Sequence, residues 1–349
     1  MTVLHPRFQL SGQILSLLAR VAEKQGALNT MKLHVQDVSY IYRLANVDAV
    51  HFSTKLEGNL LTHEEVTRAL NKKGLQTGRD IKEVLNYGKA RAFLFAQASK
   101  QIRYSESLLL ETHKLLLKGI VVGKLLGNFR QAQNVIQDSR DLSIVYMPPM
   151  PDDVPDLMDA LNRWCYRSSR EDISVFIIAA MFHYYLVTIH PFMDGNGRTA
   201  RVLANFWLQS NECDVARYAA IEKQHEANRN AYYTALRTLQ APTYYDIPAD
   251  IDLTPWLQYW LSCLNATYDE ALDRCRTRQA DPMLDKVTLN QRLQYARQLF
   301  KKHRELRAID YQLLTGVERT QAVADLNQLE RIKLIRRIGG GRSTKYTAA

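Results

Sequence analysis

His190-Pro191-Phe192-Met193-Asp194-Gly195-Asn196-Gly197-Arg198-Thr199-Ala200-Arg201 is the stretch around which the rest of the chain is organised. Ahead of it, Val175 to Ile189 is apolar over a length that reads as a buried helix. That helix must stop at His190, because the residue before a proline is pushed out of the α region, so the imidazole is expected to project into a loop. Gly195-Asn196-Gly197 supplies three residues tolerant of unusual backbone angles, whose successive N–H groups can turn inward as an anion-binding concavity. A second helix is expected from Gly197, since Arg198 to Leu208 has helical apolar spacing, and its free N–H groups and dipole also favour phosphate. Arg198 and Arg201 are three apart, hence on one face of that helix, and both can donate to phosphate oxygens. Asp194 adds the carboxylate that a nucleotide-bound Mg²⁺ needs. A solvated connection between two helices would need none of these side chains.

The stretch resembles the Fic family motif, His-x-Phe-x-Asp/Glu-Gly-Asn-Gly-Arg-x-x-Arg, and matches it at every specified position. The resemblance implies an all-α, mainly helical Fic fold with a small β-hairpin flap. It implies transfer of AMP from ATP to a Ser, Thr or Tyr hydroxyl of a target protein, and of the enzyme itself, with release of pyrophosphate. On this resemblance His190 is the general base and Asp194 the Mg²⁺ ligand. Phe192, Gly195, Asn196, Gly197, Arg198 and Arg201 bind the nucleotide, the two arginines clamping its outer phosphates. Relatives in this superfamily that transfer other groups differ within the Gly-Asn-Gly-Arg segment, which is intact here.

The 349 residues suffice for a sizeable core and roughly two or three domains. No charge-free run of about eighteen apolar residues occurs, and the N-terminus lacks the basic-then-apolar layout of a signal peptide. A cytoplasmic location and no membrane partner are expected. Cys165, Cys213, Cys263 and Cys275 have no metal-ligand spacing and are too few to staple the chain, so they read as reduced, buried thiols. The net charge of +10 is uneven: residues 281–349 hold 14 Lys and Arg against 7 Asp and Glu. Such a basic C-terminus wants an acidic partner.

An N-terminal helical region is expected over 1–100, starting with helices at 9–24 and 34–47. In His51-Phe52-Ser53-Thr54-Lys55-Leu56-Glu57-Gly58-Asn59, Ser53 and Glu57 are four apart on one helix face, and Gly58 is a natural terminator. Taken alone this is a helix end with a surface carboxylate. Beside the motif it resembles the family's inhibitory helix, Ser/Thr-x-x-x-Glu-Gly/Asn, here about 42–58. The resemblance implies that Glu57 pairs with Arg201 and denies its guanidinium to the γ-phosphate. Residues 62–118 supply three more helices, with Thr62 as an N-cap and Glu64-Glu65 in its first turn. His113 and His183 read as core or helix-face histidines.

The catalytic core is expected over 101–250. From Gly127 to Pro149 the helical period fails, and Gln133–Ile136 and Leu142–Tyr146 around a polar turn read as a β-hairpin, about 131–147. It is either an incidental surface hairpin or, on the resemblance, the flap that docks a protein substrate by β-augmentation. Ile221 to Leu236 reads as one helix, and similarity to the family's adenine-side helix suggests that Asn228 and Tyr232 approach the nucleotide. Thr238 to Asp252, with Pro242 and Pro248, is the linker candidate, followed by a connecting helix within 251–280.

Residues 281–349 resemble a winged helix-turn-helix domain: helices at 286–303, 307–314 and 318–333, a turn at Gly316, then a hairpin. Arg319, Thr320 and Gln321 would start the recognition helix, and Arg336, Arg337, Arg342 and Lys345 would flank the wing. DNA is one expected partner. A protein-interaction or dimerisation role, with a homodimer, is the other, since the third helix also carries Glu318, Asp325 and Glu330. Two further readings stay open: a nucleotide-sensing transcriptional regulator, and an enzyme that both attaches and removes AMP.

Overall fold

The computed structural model describes residues 4, 6–71, 78–121, 123–137, 141, 143–248, 250–280, 296, 299–300, 305–308, 310–311, 319–340 and 344–348. Helices dominate them. In chain order they are α1 Gly12–Thr30, α2 Val35–Leu56, α3 His63–Leu70, α4 Arg79–Ser99, α5 Glu106–Leu117, α6 Val154–Ser168, α7 Val175–Ile189, α8 Asn196–Gln209, α9 Ile221–Ala227, α10 Arg229–Arg237, α11 Thr254–Ala280 and α12 Arg319–Arg331. The chain divides into two compact units, Met1–Asn29 with Leu44–Leu272, and Thr30–Arg43 with Asp273–Ala349.

In the first unit α7 is the central post. Its residues from Phe176 to Ile189 are all buried, as an element apolar on every face requires. Ser174 caps its start by accepting the Phe176 N–H. Helix α8 packs along it, with Ala200, Leu203 and Phe206 fully buried, and α4 and α5 also pack on α8. Trp256 of α11 donates its indole N–H to the Ala180 carbonyl at 2.8 Å, tying the connecting helix to the post. Thr62 caps α3, and Glu65 completes a reciprocal capping box. The four cysteines are free and buried.

Three elements depart from the sequence reading. The expected helix at 34–47 and the Ser53–Glu57 turn are one continuous helix, α2, because buried Val47, Ala49 and Val50 carry the packing face through. The single helix expected from Ile221 to Leu236 breaks at Asn228, where φ is −119° and ψ 44°, and the Asn228 side chain bonds back to the Gln224 carbonyl. The linker candidate, Thr238 to Asp252, is instead stitched into the first unit. Met147 donates to the Pro242 carbonyl, Tyr244 donates to the Met147 carbonyl, and the Tyr184 hydroxyl holds the Leu239 carbonyl. The two units divide at Leu272, inside α11.

The expected hairpin is present as β1, Ile136–Gln137, antiparallel to β2, Ile144–Tyr146, with Ile136 opposite Tyr146 and an irregular register after it. In the second unit β3, Ile335–Ile338, pairs with β4, Lys345–Ala348, where the wing is expected. Leu306 and Tyr346 exchange both main-chain bonds, and Phe300, Tyr311, Leu326, Leu329 and Ile335 pack a small core beside α12. Most of the expected helices at 286–303 and 307–314, with Gly316 and Arg342, lies outside the described residues. Among the described residues, no helix is long and apolar enough to cross a membrane.

Candidate active site

Helix α7 delivers His190 to the site as its C-cap, in the left-handed region with φ 53° and ψ 56°, its N–H bonded to the Leu186 carbonyl at 3.0 Å. A helix end at His190, outside the right-handed α region, is expected from sequence. The chain closes there in the left-handed cap geometry, a costly state that persists where the surroundings over-determine it. Arg130 does so: its Nε donates to the His190 carbonyl at 2.9 Å, and its main-chain N–H donates to the Pro191 carbonyl at 2.9 Å. Its remaining nitrogens hold the Pro149 carbonyl and Gln133, so the flap base and the loop are one assembly.

His190 Nδ1 lies 3.1 Å from the Val187 carbonyl. A carbonyl only accepts, so Nδ1 carries the proton and Nε2 keeps its lone pair. Burial pushes this imidazole down to about 4, so it is neutral at physiological pH.

The loop is shaped by side chains that never face a ligand. Asn196 is buried and brackets Phe192, accepting its N–H at 2.9 Å and donating to its carbonyl at 2.7 Å. Phe192 is fully buried and stacks on His113, ring centroids 3.7 Å apart, so it lies under the loop rather than on the cleft wall. His113 is held neutral, at about 4, by burial. Its Nε2 donates to the Asp194 carbonyl at 3.0 Å and its Nδ1 accepts the Gly127 N–H at 3.1 Å. Sequence reading left His113 as packing and gave Arg130 no role. Their pairing with a loop some 60 to 80 positions away is a tertiary fact without local signal.

Of the three residues expected to form a nest, only Gly195 leaves helical space, with φ 81°. A Cβ there would stand 2.6 Å from Leu117 Cδ2, so glycine is required twice over. Asn196 and Gly197 already belong to the first turn of α8. The anion-attracting feature is therefore the N-terminus of α8.

Arg201 is 1% exposed. Its Nε donates to Ser53 Oγ at 2.9 Å, and its Nη2 donates to the Ser53 carbonyl at 3.0 Å and to Glu57 Oε1 at 2.7 Å. Burial alone would raise the Glu57 carboxyl, yet the Arg201 and Arg198 guanidiniums hold it below the ordinary carboxylate range. A side chain at Gly197 would strike Glu57 Oε1, so the absence of a Cβ lets the carboxylate in. Gly58, with φ 89°, ends α2 just beyond. Arg229 Nη2 donates to the Lys55 carbonyl at 2.7 Å and the Tyr233 hydroxyl to the Leu56 carbonyl at 3.0 Å, so α10 satisfies the orphan carbonyls of α2.

Asp194 and Arg198 form an ion pair at 2.9 Å. One carboxylate cannot cage a metal, and among the described residues no cluster of three metal-ligating side chains occurs. A lone, partly exposed carboxylate does suit Mg²⁺ that arrives on a nucleotide and draws most of its ligands from phosphates and water.

Glu57, Gly58, His190, Gly197 and Arg201 border a cleft of about 790 Å³, whereas Asp194 and Arg198 are not among its lining residues. Glu57, His190, Gly197 and Arg201 form its floor, Val135 to Gln137 with Val145 and Tyr146 one wall, and α10 the other. Tyr232 lines it but is buried, its hydroxyl bonded with His183 Nε2 at 3.0 Å. Asn228 is exposed and does not border the cleft; Arg229, Asn230 and Tyr233 take that place because the helix breaks at Asn228. In the second unit Arg319 and Thr320 start α12, Gln321 donates to Asp325 at 2.8 Å, and Lys345 pairs with Glu305 at 2.7 Å.

Fold and site together define a mainly helical domain whose central helix–loop–helix presents a neutral histidine and an arginine-ringed helix N-terminus to a cleft. Residues 103–208 match the Fic/DOC family. A protein adenylyltransferase Fic from Nematostella vectensis is 30% identical over 196 residues, 54% of this chain and 43% of its own length. The protein of that name from Drosophila melanogaster is 28% identical over 259 residues, 72% of this chain and 45% of its own. The chain thus spans under half the length of these curated relatives. Among solved structures, a Fic family protein from Desulfovibrio desulfuricans G20 shares the fold over 99% of this chain and 98% of its own, with a TM-score of 0.64 and 23% identity.

Proposed function

We propose that the protein is a protein adenylyltransferase that transfers AMP from ATP to a Ser, Thr or Tyr hydroxyl, and that Glu57 holds it off at rest. The observation that carries the reading is a loop whose base, His190, is neutral with Nε2 available, while its last arginine, Arg201, is occupied by Ser53 and Glu57. Relatives named adenylyltransferases support it.

In the active state the target hydroxyl gives its proton to His190 Nε2 as its oxygen bonds to the α-phosphorus. The bond from that phosphorus to the α,β-bridging oxygen breaks, and pyrophosphate leaves. The α8 N-terminus, Arg198 and Arg201 stabilise the charge that gathers on the phosphates. Asp194 would hold Mg²⁺, which neutralises phosphate charge when bound. The target segment lies along the β1–β2 hairpin by main-chain hydrogen bonds, an arrangement that reads few side chains. With Glu57 on Arg201, the γ-phosphate has no seat and ATP binds with its α-phosphorus misdirected.

The test is transfer of label from α-labelled ATP. Glu57→Gly should label itself and lysate proteins far more than the native chain. His190→Ala in that background should lose about 10²- to 10⁴-fold, the usual contribution of a general base. Equal labelling with and without His190 would overturn the reading.

The basic C-terminal hairpin, with exposed Arg336 and Arg337 on β3, favours a second, compatible reading in which the second unit binds DNA. Retardation of the gene's upstream DNA should then weaken steeply as salt rises. A third reading, in which Glu57 orients a water and removes AMP, predicts AMP release from a pre-modified protein by the native chain but not by Glu57→Gly.

A further inference from the structure

Arg79 opens α4 at the rim of the motif loop, 65% exposed, and its ends are held by different carboxylates. Its Nε donates to Glu83 Oε1 at 3.1 Å and its Nη2 donates to Asp194 Oδ2 at 3.1 Å. Arg198 meets the same two carboxylates from α8: Nη2 donates to Asp194 Oδ1 at 2.9 Å, and Nη1 lies 3.3 Å from Glu83 Oε1. Asp194 is thus gripped by one guanidinium on each oxygen, and Glu83 backs both.

The ring is balanced in charge but not in hydrogen bonds. Among the described residues Arg198 Nε has no hydrogen-bond acceptor and Nη1 meets Glu83 only as an ion pair, although the side chain is only 2% exposed. A buried guanidinium with an idle donor leaves room for another anion. The phosphate charges of an arriving nucleotide compete with Asp194 for both arginines, whether or not Asp194 turns to a metal that they carry. Glu83 still anchors Arg79 through Nε, which leaves Nη2 to a phosphate oxygen.

We propose that Arg79 is a phosphate-binding residue of this site, a guanidinium from outside the His190–Arg201 stretch that contacts the two phosphates leaving as pyrophosphate. The identity of the ligand rests on the adenylyl-transfer reading. The chemistry suits such a cation, because a third guanidinium shares with Arg198 and Arg201 the charge of the phosphate tail.

The experiment titrates full-length Glu57→Gly and Glu57→Gly/Arg79→Gln with ATP and with AMP by calorimetry, in Mg²⁺ and again in EDTA. Removing Arg79 should weaken ATP about 10- to 100-fold, as loss of one charge-assisted contact does. AMP, which lacks those phosphates, should change by less than about twofold, and the ATP loss should persist in EDTA. Arg79→Lys should recover part of the affinity, since it keeps the charge without the planar fork. Unchanged ATP affinity in Arg79→Gln overturns the assignment while leaving the parent's function intact. A loss seen only with Mg²⁺ also overturns it, because Arg79 would then act solely by placing Asp194. If the Glu57→Gly parent binds neither nucleotide, adenylyl transfer itself fails and Arg79 falls with it.

Discussion

His113 makes three contacts that no ligand needs: a ring stack on Phe192, a bond to the Asp194 carbonyl and one from the Gly127 N–H. Replacing it with Phe would keep the stack and orphan the two main-chain groups. Each buried orphan costs on the order of 1–3 kcal/mol, so His113→Phe should lower the urea midpoint visibly and reduce labelling in a Glu57→Gly background. A normal midpoint with normal labelling would show that the loop holds its shape without His113. Gly195 bears a similar constraint, since φ 81° and Leu117 both exclude a side chain. At this scale the motif residues were readable because their chemistry is peculiar: no packing need explains His, Asp, Asn and Arg together. His113 and Arg130 were not readable, because a buried histidine or an arginine at a hairpin base has many ordinary explanations. Their function exists only once α5, the flap and the loop are brought together.

The proposed inhibitory element is the last turn of α2, and its anchorage continues past Glu57. Asn59, just beyond Gly58, is buried and donates to Glu83 Oε2 at 3.1 Å and to the Asp80 carbonyl at 3.0 Å, pinning the α2 exit to the first turn of α4. Asn59 does not border the cleft, and its link to Arg79 and Arg198 runs only through Glu83, whose other oxygen both arginines still hold without it. Asn59→Ala should raise basal labelling about 2- to 10-fold, the range for losing one or two ordinary hydrogen bonds. It should add nothing in a Glu57→Gly background, where the restraint is already gone. An additive gain in the double variant would separate Asn59 from the Glu57 contact. The Ser53 and Glu57 spacing is legible in the sequence, but the apolar pattern reads as two helices, and the anchorage to α4 and α10 has no local signal. The break at Asn228 has none either. Helical apolar spacing continues across it, and what marks the break is the Asn228 backbone, φ −119° and ψ 44°, with its main chain and side chain both donating to the Gln224 carbonyl.

Across the whole molecule, neutral histidines are buried where the unfolded chain would expose them. Burial holds His113 and His190 at about 4 and His225 at about 3, against the ordinary value of 6.5, and His183 lies well below it. Between those values the unfolded chain binds protons that the native one refuses, so native stability must fall as pH drops from about 6.5 toward 4. Glu57 pulls in the same direction, because its carboxyl is lowered in the fold and its contribution is lost as acid protonates it. Protonation also adds to a chain already at +10, and self-repulsion works against the compact state. The urea midpoint should therefore be lower at pH 5 than at pH 7 by an amount that His113→Phe reduces, since one of the depressed histidines is gone. Catalysis should not follow the same curve. With His190 titrating near 4 in the free enzyme, initial labelling under saturating ATP by the Glu57→Gly variant should stay flat from pH 7 to pH 5 while stability declines. An acid limb at 6.5 in that rate would mean that His190 is solvated in the active state and that the burial seen around it belongs to the resting state alone.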